Sequence, residues 1–278
     1  MVFPQQLLKF DSYQKNMRFR KRIYFLFLRV ITFDMEKIIS YPISFIAMLL
    51  FLLVLVIFHP IQWICLNVFG YQAHKKSVDY LNLFLLRIGH LLGTTFKVEN
   101  REFIPKGVPL IFVANHQSLY DIIGIIWFFR KFHPKFVSKK ELASGIPSVS
   151  YNLRHGGSVV IDRKDPKQAL PVIKGLAEYI EKYKRTAVIF PEGTRSKTGV
   201  PKEFAQSGLK ILCKYAPSAY VVPISINNSW KFVKYGFFPF GLGNRLTFTA
   251  HKPIAVKDFA FEELMQMAEK AVVEGVKL

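Results

Sequence analysis

The chain has 278 residues, 51% of them hydrophobic, and carries 39 Lys and Arg against 19 Asp and Glu, a formal net charge of +20. That apolar content excludes a disordered chain, and a mean hydropathy of +0.21 argues against a polar, basic nucleic-acid binder. Basic and apolar together fit an anionic membrane surface, anionic substrates or an acidic carrier protein.

The N-terminal region opens with a basic cluster at Arg18 to Arg22. No Asp, Glu, Lys or Arg then occurs between Lys37 and Lys75. A bilayer core takes ~20 apolar residues as a helix. The core of the run, Ile43 to Phe58, is a little short for that, and the whole uncharged stretch is too long for one untilted span. Pro60 removes a backbone donor, which predicts a break at His59-Pro60. The pattern therefore predicts two helices in a re-entrant or interfacial hairpin. Basic residues flank both ends, the second pair being Lys75-Lys76, which places both flanks on the cytoplasmic side. A single kinked span is the second reading and a buried core helix the third. Residues 1–76 form this attachment segment, and residues 77–278 the remaining domain. Cys65 and Cys213 show no metal-ligand spacing and no disulfide framework, so the chain reads as intracellular.

After Lys75 the pattern changes. A helix is predicted over Val78 to Leu92, ended by Gly93. Strands are predicted at Thr94 to Val98, Pro109 to Ala114, Phe136 to Ser138, Ser158 to Ile161, Ala187 to Phe190, Tyr220 to Ile226 and Leu246 to His251. Helices lie between several of them, over Pro166 to Tyr183 and Phe204 to Tyr215. Strand–helix alternation predicts an α/β fold: a mixed, largely parallel sheet with flanking helices, preceded by the hydrophobic membrane-attachment helical segment. Active sites in such sheets lie beyond strand ends.

Two polar clusters directly follow predicted strands. Asn115-His116-Gln117-Ser118-Leu119-Tyr120-Asp121 comes after LIFVA. A His and an Asp five apart do not share a helix face, but a strand-to-loop corner can bring them together as a general base and its orienting carboxylate. Phe190-Pro191-Glu192-Gly193-Thr194-Arg195-Ser196 comes after TAVI. Gly193 permits positive φ, and Arg195 offers a planar fork suited to phosphate. Glu192 can accept from a ligand hydroxyl or orient Arg195. Read singly, each cluster is also compatible with an ordinary polar loop. Two further blocks are Gly156 to Arg163, a strand ending in Asp162-Arg163, and Val221-Val222-Pro223-Ile224-Ser225.

In order, NHxSxxD, GxxxIDR, FPEGTRS and VPI resemble the four blocks of the glycerolipid acyltransferase family, whose members include the lysophosphatidate acyltransferases. The likeness runs from about Leu83 to His251. It implies that residues 77–278 form an α/β acyltransferase domain with His116 as base and Asp121 as its partner. It implies substrate phosphate and glycerol binding by Arg163, Glu192, Gly193, Thr194 and Arg195. Lys139, in a basic segment also similar to the family's, is implied to touch the oxyanion or a phosphate. The reaction implied moves a fatty acyl chain from acyl-CoA or acyl carrier protein, as co-substrate, to the sn-2 hydroxyl of lysophosphatidic acid. No metal, cofactor or nucleic acid is expected, and membrane lipids are the expected partners. One departure stands out. Many members carry Phe-Lys-x-Gly after FPEGTRS, whereas this chain has Phe204-Ala205-Gln206-Ser207-Gly208, lacking that cation. Glycerol-3-phosphate, another lysophospholipid or a lyso-aminolipid are the alternative acceptors. A thioester hydrolase and a basic, non-enzymatic membrane adaptor are the alternatives in kind.

Overall fold

A computed structural model describes residues 4–162 and 165–277. One sheet organises the chain from Thr95 onward. Its strands run in the order β1 (Thr95–Glu99), β7 (Arg245–Ala250), β6 (Tyr220–Asn227), β2 (Leu110–Ala114), β5 (Thr186–Ile189), β3 (Pro134–Lys139) and β4 (Val159–Ile161), with β8 (Ile254–Ala255) added to β6. β6, β2, β5, β3 and β4 are mutually parallel, while β7 and β8 run antiparallel to β6. The expected mixed, largely parallel sheet is therefore the one observed.

Alternation along the central strands builds two cores. Leu110, Phe112 and Ala114 face one layer together with Val222 and Ile224, and Ile111 and Val113 face the other with Ala187 and Val221. The second layer is covered by α5 (Pro166–Tyr183), α6 (Gln206–Tyr215) and α7 (Phe261–Gly275). The span predicted for α5 matches the one found, because its start is written locally. Asp165 caps the helix by accepting from the backbone N–H of Lys167 and Gln168, and Pro166 fills the first turn. The first layer is covered by α3 (Tyr120–Phe128) and by the N-terminal helices α1 (Pro4–Phe69) and α2 (Tyr71–Leu91). The short α4 (Val149–His155) precedes β4.

The two-helix hairpin expected within the uncharged run, broken at His59-Pro60, is not found; that run is one helix as far as Phe69, and the chain doubles back only after it. α1 continues through Pro42 and Pro60 and ends at Phe69. Contacts outside the helix hold the turn around Pro60. Ser148 donates its hydroxyl to the Leu55 carbonyl (2.6 Å) and its backbone N–H to His59 Nδ1 (3.1 Å). Anchoring of this kind lets a helix carry a proline that would break an isolated one. The chain turns instead at Gly70, whose φ of 79° and ψ of −176° are open essentially to glycine alone. α2 then packs back on α1, with Phe58 and Phe84 ring centroids 5.7 Å apart.

One stretch of α1, Met35–Phe69, is long and apolar enough to cross a membrane, and only 22% of its most apolar window is buried. At 1.5 Å per residue it measures roughly 50 Å. Its inner side packs through Ala47, Leu55 and Phe58, and Phe45, Leu49, Leu52, Val56 and Val68 lie exposed. A buried core helix would not leave so continuous an apolar face open.

Two outcomes are expected. Gly70→Ala, with open space around the position but a forbidden backbone for L-residues, should cost about 1–3 kcal/mol and lower the Tm in detergent. An unchanged Tm would show that the corner tolerates another conformation. High-salt washing should leave the chain on membranes while detergent releases it, because burial of apolar surface is not screened by ions. Complete release by salt would mean that charge alone holds it.

Candidate active site

The site begins where β2 ends. Asn115 extends the β2–β6 ladder with its side chain, donating to Ile226 O (2.8 Å) and accepting from Ile226 N (2.7 Å). His116 therefore leaves the sheet from a fixed point at the C-terminal edge of a central strand. The chain curls at once, and Asp121, in the first turn of α3, folds back under it. Asp121 Oδ2 accepts from Gln117 N (2.6 Å), Ser118 N (2.8 Å) and His116 Nδ1 (2.8 Å). Its other oxygen accepts from the Ser229 hydroxyl. The Asp121 side chain is fully buried, and four donors compensate its charge. Because a carboxylate only accepts, His116 carries its proton on Nδ1, which leaves Nε2 as the basic atom.

The second cluster closes over the first. Phe190 stacks on the His116 ring, with centroids 4.2 Å apart and planes 18° apart. Ser196 N donates to His116 O (2.8 Å). Glu192 Oε1 accepts from His116 N (2.7 Å) and Oε2 from Lys202 N (3.0 Å). Both Glu192 oxygens thus face protein backbone, and burial pushes its carboxyl above the usual range against the pull of those two N–H groups. Glu192 braces the two loops from behind. Gly193 makes the turn between them at φ 67° and donates its N–H to Phe190 O.

A cleft of about 340 Å³ opens in front of His116. Leu119, Ile122, Phe136 and Leu142 line it together with Lys139, Thr194 and Arg195. Lys139 and Arg195 are exposed and reach this space from different strands' ends. A basic nitrogen, cations and apolar side chains thereby meet at one mouth. Arg163 lies outside the described residues. Its neighbour Asp162 pairs with Lys140 at 2.5 Å, and this hydrogen bond raises the Lys140 ammonium above its ordinary range. Beyond Phe190 a second, apolar cleft of about 250 Å³ is lined by Leu170, Ile173, Ala205 and Gly208. The segment lacking the usual cation thus contributes Ala205 to an apolar surface.

Two contributors escape sequence reading. Ser229 follows β6 and stands 108 positions from Asp121, so no local pattern connects them. Gln117 lies inside the first block, and its amide accepts from Ser229 N (3.0 Å) and donates to Gly199 O (3.1 Å). It thereby ties the loops after β5 and β6 to the loop that carries His116.

Comparison with known proteins agrees with this geometry. Residues 95–227 match the Acyltransferase family model. A 1-acyl-sn-glycerol-3-phosphate acyltransferase of Helicobacter pylori is 37% identical over 131 residues, 44% of this chain and 52% of that protein. The corresponding protein of Saccharomyces cerevisiae is 28% identical over 183 residues, 65% of this chain and 58% of its own length. The chain thus matches only about half the length of these curated relatives. The crystal structure of a 1-acyl-sn-glycerophosphate (LPA) acyltransferase from Thermotoga maritima superimposes with a TM-score of 0.67 at 28% identity, covering 87% of this chain and 95% of that one. The family model, the named relatives and the shared fold agree in what they liken this chain to, the 1-acyl-sn-glycerol-3-phosphate acyltransferases.

Proposed function

We propose that the chain transfers a fatty acyl group from a thioester to the sn-2 hydroxyl of lysophosphatidic acid, giving phosphatidic acid. The observation that carries this reading is the oriented His116–Asp121 pair at a cleft lined by both cations, Arg195 and Lys139, and apolar side chains. The acceptor hydroxyl lies against His116 Nε2, which takes its proton as the oxygen attacks the thioester carbonyl. The imidazolium is stabilised through Nδ1–H by Asp121. The tetrahedral oxyanion draws on nearby donors, Lys139 among them. As it collapses the C–S bond breaks, and the thiolate takes the proton back from His116. Neither cysteine lies in the cleft, so direct transfer needs no acyl-enzyme.

Arg195, with Thr194 and Arg163, holds the acceptor phosphate. Glu192 and Gly193 shape the loop that presents them. Acyl-CoA or acyl carrier protein serves as donor, since both are anionic and the chain carries +20. The apolar hairpin keeps the cleft at the bilayer, on the cytoplasmic face, where the lysolipid resides.

Thiol release from acyl-CoA, with and without lysophosphatidic acid, tests the reading. Release that requires the acceptor supports transfer, whereas equal release without it makes the chain a hydrolase. His116→Ala should lose ~10²–10⁴-fold in kcat, and full activity would remove the proposed base. Ser229→Ala deletes one donor to a buried carboxylate and should lower kcat roughly tenfold with both KM values unchanged.

Arg195→Ala should raise the KM for lysophosphatidic acid about 10 to 10²-fold, since a charge-assisted hydrogen bond contributes about 1.5–3 kcal/mol. The donor KM should hardly move. Arg195→Lys should recover only part, having the charge without the fork. A shift in the donor KM alone would assign Arg195 to the coenzyme phosphates instead.

A further inference from the structure

Away from the catalytic edge, a second cluster of ionisable groups lies where the hairpin corner meets the sheet. α2 begins there at Tyr71, β3 begins at Pro134, and the turn between α4 and β4 contributes Gly156. These elements border a partly open cavity of about 30 Å³, lined by polar and apolar groups, with room for one or two water-sized atoms. Lys135, only 6% exposed, reaches it from β3 and donates to Gly156 O (2.5 Å). Lys75 reaches it from α2 and donates to Asp79 Oδ2 (2.5 Å) and Arg130 O (2.8 Å).

Donors outnumber acceptors here. Asp79 is the one carboxylate in the wall, and Lys75 already occupies it. His74 is completely buried, yet neither of its ring nitrogens has a hydrogen-bond partner among the described residues. The same holds for His133 Nδ1 and for Arg185 Nε beside it. Burying several polar groups of this kind without acceptors is costly. The local field is also strongly positive. Burial, with Arg185 and Lys75 nearby, pushes the Lys135 ammonium down to about 8. Burial, with Lys135 and His155, pushes His74 down to about 4.

We propose that this cavity is a binding site for one small inorganic anion, of chloride's size and charge, faced by Lys135, Lys75 and the His74 ring, and that the anion fastens the hairpin corner to the sheet. An anion is the ligand that accepts from several donors at once and compensates the surplus of positive charge. The cavity's size favours a halide over a phosphate group. An uncharged water accepts fewer donors and leaves the charge unbalanced.

Thermal unfolding of the full-length protein in a non-ionic detergent tests this. Tm is followed as sodium chloride replaces sodium gluconate at constant ionic strength, with bromide and phosphate as further arms. Chloride and bromide should each raise Tm saturably by a few degrees, the scale on which a single bound ligand stabilises a chain of this size. Lys135→Met should lose that increment whatever its own starting Tm. Should that variant fail to fold, Lys75→Gln is expected to weaken the chloride midpoint instead. Equal Tm in chloride and gluconate would overturn the site, and so would a chloride increment unchanged in the variants. Stabilisation by phosphate alone would overturn the halide assignment and point to a phosphate group entering from the open side. None of these readouts depends on catalysis, so they stand apart from the proposed reaction.

Discussion

A carboxylate with no exposed side-chain surface has to find donors for all of its charge or be expelled to water. Asp121 finds them in two backbone N–H groups, one imidazole and one hydroxyl. Removing water from such an ion costs several kcal/mol, so the arrangement is tolerated only when every donor arrives. That requirement reaches far into the fold. The loop after β2 has to curl within six residues, Ser229 has to come from the end of β6, and Asn115 has to lock β2 to β6 so that the two meet in register. The orientation of His116 follows from this packing, because its Nδ1 is one of the four donors.

Glu192 repeats the theme with a different result. Its two oxygens take backbone N–H groups from the first block and from Lys202, so it joins segments that sequence places far apart. A side chain spent in this way orders the cleft rather than filling it. The outward charge of the FPEGTRS block then rests on Arg195, which is exposed and lines the cleft with Thr194. One block thus divides into an inward half that fixes geometry and an outward half that lines the cleft.

Much of this was legible in the sequence, for reasons that differ from element to element. The central strands are fully buried apolar runs between turn signals, and α5 carries its own cap in Asp165 and Pro166. The two polar blocks stand out because each interrupts such a run at a strand end. Local reasoning placed the hairpin corner wrongly at Pro60, because the contacts that accommodate the proline come from Ser148, 88 positions later in the chain. Ser229 was invisible for the same reason. The contact of Phe190 with the His116 ring was also out of reach, since an aromatic after a strand reads as the end of an apolar run until the neighbouring strand is known.

The net charge of +20 and the pairing inside the site act on different length scales. Surface charge is screened within a Debye length of about 8 Å at physiological ionic strength. It can therefore concentrate anionic lipids and donors near the molecule but cannot fix the position of a reacting atom. Position is fixed inside, where Asp121 and Glu192 are out of water and each donor is a specific group. The cleft lies at the boundary between the two regimes, with Leu119 and Ile122 continuing the apolar character of the hairpin and Lys139 and Arg195 continuing the basic surface. An amphipathic substrate, as in the proposed reaction, suits such a lining: apolar groups are there for its tail and cations for its charged end. A purely polar phosphate ester would gain only the screened half of that recognition. On the proposed reaction, this mixed lining suits an acceptor already anchored in a membrane better than one arriving from solution.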